Sequence, residues 1–60
     1  MTDAQIRKQL AKIHPDYTYI GQNEYGLWDV EFEDEFELVM LTYKVEGDRL
    51  RFIGEMTVEQ

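Results

Sequence analysis

The sequence predicts an α+β domain, an N-terminal helix packed on a four-stranded antiparallel β-meander. Three observations predict it. Ile6, Leu10 and Ile13 recur at helical spacing ahead of Pro15. Trp28, Val30 and Phe32 alternate with Asp29, Glu31 and Glu33 at the period of a half-buried strand. Short turn-like stretches then separate further apolar runs, and short connections favour strands that neighbour in sequence pairing in space.

Each element has a local reason. Residues 1–13 read as an amphipathic helix, with Thr2 as N-cap and Gln5 at capping-box spacing. Met1 and Ile6 are spaced as a hydrophobic staple. Ala4 and Ala11 flank the stripe, and Pro15 ends the helix by forcing His14 toward an extended backbone. So short a helix holds its shape only when docked. Residues 17–20 make a first strand and 21–24 its turn; Tyr25 and Gly26 lead into a second strand from Leu27 to Phe32. A three-residue corner, Glu33, Asp34 and Glu35, sets Phe32 opposite Phe36, Val30 opposite Leu38 and Trp28 opposite Met40. That register costs a like-charge pair, Glu31 against Glu37. Residues 46–49 form the clearest turn, with Gly47 available for positive φ, so Val45 pairs with Leu50 and Tyr43 with Phe52. The last strand runs to Val58, with Gly54 marking a bulge or a close approach, and Glu59 and Gln60 fray.

Continuing those registers leaves one face with Trp28, Val30, Phe32, Phe36, Leu38, Met40 and Ile53. The other carries Leu27, Val39, Leu41, Tyr43, Val45, Leu50, Phe52 and Met56. One helix with three large apolar residues covers one face, not two. Either the sheet twists so that loops and tyrosines cover the second face, or that face packs on another molecule; a homo-oligomer, most simply a two-fold dimer, is expected, with a face that includes Val39, Leu41, Tyr43 and Phe52.

Size supports the same expectation. Sixty residues make one domain, residues 1–60, at a size where stability is marginal without a staple or a partner. There is no cysteine and a single histidine, which removes disulfides, thiolate zinc sites and an all-imidazole metal site within one chain. No run approaches a membrane span and no signal-peptide pattern opens the chain, so a soluble, cytoplasmic protein is expected.

Charge is segregated. Arg7, Lys8 and Lys12 face only Asp3 in the helix, whereas the rest of the chain sets twelve acids against Lys44, Arg49 and Arg51, for a net charge of −7. Such a balance repels nucleic acid and anionic membrane. It points instead to a basic protein surface as partner, met by Asp29, Glu31, Glu33, Asp34, Glu35 and Glu37. These acids alternate with Trp, Val and Phe, unlike a calcium loop, so no metal or other cofactor is expected. Alternate carboxylates on a strand lie about 6.6 Å apart, roughly twice the axial phosphate rise of DNA. An acidic inhibitor occupying a basic nucleic-acid-binding groove is therefore the alternative reading.

An enzyme is not expected. With no serine and no cysteine, His14 has no conventional nucleophile to activate, and a helix-capping role suits its position. Tyr17, Tyr19, Tyr25 and Trp28 read as core or interface aromatics, lacking the basic neighbours that base stacking requires. The expectation is a small, acidic, non-enzymatic interaction module.

Overall fold

Thr2 starts the helix as its side chain dictates: its hydroxyl accepts from the Gln5 N–H (3.2 Å) while Gln5 Oε1 accepts from the Thr2 N–H (2.9 Å). In the computed structural model, which describes residues 1–59, helix α1 spans Asp3–Ile13. Strands β1 (Tyr19–Gln22), β2 (Trp28–Glu33), β3 (Glu37–Glu46) and β4 (Arg49–Glu59) follow, paired antiparallel in the order β1-β2-β3-β4. The α+β meander is the expected fold. No helix among the described residues is long and apolar enough to cross a membrane.

The turns follow side-chain chemistry. Between β1 and β2, Asn23 Oδ1 accepts from the N–H groups of Tyr25 and Leu27, and Gly26 takes φ +79°. This moves the first turn two residues beyond the expected 21–24 and carries β1 through Gly21 and Gln22. Gly21 is buried in the strand under the Tyr19 ring, where a Cβ would collide. Gly47 and Asp48 close the β3–β4 hairpin, with Gly47 at φ +64° as the first central residue. The expected pairs Val45–Leu50 and Tyr43–Phe52 form. The ladder then slips at Thr42/Tyr43, leaving Ile53 as an extra residue beside Gly54. Glu59 stays paired with Glu37 instead of fraying, and Gln60 lies outside the described residues.

The β2–β3 register differs from expectation. Phe32 pairs with Val39, Val30 with Leu41 and Trp28 with Tyr43, and the corner holds four residues, 34–37, between the Glu33–Leu38 pair. Asp34 sets this corner: its Oδ1 accepts from the N–H groups of Phe36 and Glu37, both at 2.8 Å. Phe36 is thereby turned into the loop, 71 % exposed. Because the shift is three residues, an odd number, β3 presents its other side to the helix. Val39, Leu41, Tyr43 and Val45 join Trp28, Val30 and Phe32, while Leu38 and Met40 go to the reverse face. The like-charge pair also disappears, since Glu31 now faces Met40.

Helix α1 lies on the Trp28 face and sits nearest β1. Ile6 and Leu10 are buried against Ile20, Trp28, Val30 and Tyr43, and full burial of each such side chain contributes about 1.5–3 kcal/mol. Ile13, expected on the same stripe, is half exposed because the docked stripe centres on Ile6 and Leu10. Arg7, one of the three basic residues of the helix, is tied down by the sheet. Its guanidinium donates to the Ile20 carbonyl at 2.7 Å and sits 5.1 Å from the Trp28 ring centroid.

Candidate interaction surfaces

His14 ends the helix with its N–H donating to the Leu10 carbonyl at 2.8 Å, which places its ring over the sheet. There Nε2 and the Tyr43 hydroxyl share a hydrogen bond of 2.6 Å, and the imidazole stacks on Phe32 at 5.9 Å. Tyr43 in turn meets Phe52 edge to face, at 5.7 Å between ring centroids. Burial pushes the Tyr43 hydroxyl above its ordinary pKa, so it stays neutral. A shallow cleft of about 210 Å³ beside this pair is lined by Ile13, His14, Pro15, Asp16 and Phe32. His14 is thus occupied as a bolt between helix and sheet. Among the described residues no cluster of three or more His, Cys, Asp or Glu could hold a metal ion.

The four residues expected on a self-association face have unequal fates. Val39, Leu41, Tyr43 and Phe52 share one face, and it is the face the helix covers. Tyr43 is only 8 % exposed, sealed in the chain's own core, and Leu41 packs against that core. Val39 is half-buried. Phe52 remains 51 % exposed, because the helix sits at the β1 side and leaves the β3–β4 half of the face open. Leu41, Val45, Leu50 and Phe52 form an apolar ledge there.

The six acids also separate. Asp29, Glu31 and Glu33 form a row on the reverse face of β2. Within it Asp29 accepts from Thr42 Oγ1 at 2.9 Å and from Asn23 Nδ2 at 3.4 Å. Asp34 is consumed by the corner, and its two backbone donors hold its carboxyl below the usual range. Glu35 is exposed in the corner, and Glu37 lies on the opposite face, across from Glu59.

Beside the acid row runs an apolar strip that the expected register concealed. Leu38 pairs with Val58 and Met40 with Met56, all on the reverse face, with Glu33 next to Leu38 and Glu31 next to Met40. Met56 and Val58 are 54 % and 50 % exposed. The one sequence signal for this strip was Asp34, an Asx-turn former whose preferred corner includes Phe36. Bases gather at the other end of the face, where Lys44 lies opposite Arg51 and Arg49 opposite Glu46. An exposed ion pair of 3.4 Å joins Arg51 to Glu46 and relieves part of that crowding. No family model, curated protein or solved structure matches the chain significantly, so these surfaces stand on their own geometry.

Proposed function

We propose that the chain is a small non-enzymatic protein-interaction module that dimerises through the open half of its helix-bearing face and offers its acidic end to a basic partner. The observation that carries this is Phe52, half exposed on a ledge with Leu41, Val45 and Leu50 while its neighbour Tyr43 is buried. A 60-residue chain without disulfides gains most by covering such a ledge. A second copy suits it in shape and charge. Two copies set face to face about a two-fold axis along the strands would place each helix over the other's ledge. Lys8 and Lys12 then approach the partner's acidic sheet, which carries Glu55 on that face.

Light scattering tests the reading. Twice the chain mass of 7.2 kDa is expected, persisting in moderate salt because apolar area holds the dimer. Phe52→Glu should return the mass to that of one chain with an unchanged circular dichroism spectrum. A wild-type monomer would remove self-association from the proposal. The inhibitor reading has the Asp29, Glu31 and Glu33 row in its favour. It predicts retention by immobilised nucleic-acid-binding proteins with steep elution by salt.

A further inference from the structure

The helix-free face carries an apolar strip whose surroundings have one sign of charge. Leu38, Met40, Met56 and Val58 make a two-by-two block of direct cross-strand pairs, and Phe36 is 71 % exposed at the adjoining corner. Residues 29–41 and 52–59, which build this end of the molecule, contain eight acids and no lysine or arginine. Monomeric surfaces seldom leave such a strip bare, and methionine is enriched where surfaces adapt to partners.

A second copy does not fit here. Set strip on strip it would bring an equally acidic end against this one, with Lys44, Arg49 and Arg51 at the far end of each sheet, and its basic helix α1 has already buried Ile6 and Leu10 in its own core. From apolar strip and flanking charge together we infer that this face docks a basic amphipathic segment of a different protein. Its apolar side lies on Met40, Met56, Leu38 and Val58, and its lysines or arginines meet Glu31 and Glu33. The inference rests on reading the acidic end as an interaction surface and adds the class of partner. A purely basic groove, as in the inhibitor reading, would use the carboxylates and leave the methionines idle.

The experiment uses three blocked peptides of about eighteen residues, long enough to form a helix on docking. One has leucine and lysine at helical amphipathic spacing, one has the same composition scrambled, and one is oligolysine. Titration calorimetry should show the amphipathic peptide binding at least about tenfold tighter than the other two. Met40→Ser with Met56→Ser should remove that advantage while leaving oligolysine binding unchanged; Val58→Asn, at a half-exposed site, should weaken it in the same sense. Equal binding of all three peptides, or no effect of these variants, overturns the inference and leaves the acidic-surface reading standing. Absence of binding by any peptide overturns both.

Discussion

Tyr43 shows how one side chain settles which face of a strand is the inside. Its hydroxyl meets His14 at 2.6 Å, and its ring lies between the helix end and Phe52. Tyr43→Phe removes one partly buried hydrogen bond, an expected loss of about 0.5–1.5 kcal/mol read from the urea midpoint. A double-mutant cycle with His14→Ala should assign most of that loss to the pair. The pH dependence follows from burial, which raises the folded pKa of this phenol above the ordinary tyrosine value of 10.0. The neutral form is favoured by folding, so the contribution is complete below the unfolded pKa and is lost as pH rises through it toward the folded value. Alkaline titration followed by circular dichroism should therefore unfold wild type earlier than Tyr43→Phe, once their neutral-pH stabilities are matched with urea. Leu10 is fully buried, and Leu10→Ala costs about 2–5 kcal/mol. In so small a domain, where the core rarely supplies more than about 3–5 kcal/mol, that variant should be largely unfolded at 25 °C.

The two hairpins show opposite relations between sequence and structure. The β3–β4 turn was legible because Gly47 and Asp48 have a short menu of two-residue turns, and the pairs they imply form. Gly47→Ala places a side chain at φ +64° and should cost about 1–2 kcal/mol, measurable by thermal melting. The β2–β3 corner was not legible by alternation, because β3 is apolar on both faces and two registers satisfy β2 equally. Asp34 decides between them by accepting two backbone N–H groups. Asp34→Ala should lower the melting temperature at neutral pH, and Asp34→Asn, which keeps an acceptor, should lower it less. The carboxyl's folded pKa lies below 3.8, so its contribution is present above that value and is lost as pH falls through the folded pKa. The gap between wild type and Asp34→Ala should accordingly narrow in acid. The capping box was legible for a different reason: Thr2 and Gln5 satisfy each other within one turn and need no distant partner.

Charge and apolar surface organise the molecule as a body with two exposed regions. A net charge of −7 on 60 residues, with the acids crowded at the β2–β3 corner end, works against the compact state. Raising sodium chloride from about 10 mM to about 0.5 M shortens the Debye length from about 30 Å to a few ångströms. The melting temperature should rise over that range, and a fall would show that attractive pairs outweigh the crowding. Of the six acids, the sequence placed Asp29 and Glu31 on β2 and Asp34 and Glu35 in its corner, where they lie; Glu33, expected in the corner, ends β2. The sequence could not show that Asp34 and Asp29 are internally engaged, that Glu37 faces the other way, or that Tyr43 is sealed in the core. Those facts depend on contacts between residues far apart along the chain.

Composition and local pattern alone determined the helix and its cap, the four strands, the glycine turn and the separation of a basic helix from an acidic sheet, because each arises within a few neighbouring residues. Only the tertiary structure decided the β2–β3 register, and with it which apolar set became core and which was left on the surface. The physical reason is a degeneracy. A strand apolar on both sides looks the same to its neighbour after an odd slip, and the tie is broken by a carboxylate in the corner and by a histidine 29 residues from the tyrosine it holds.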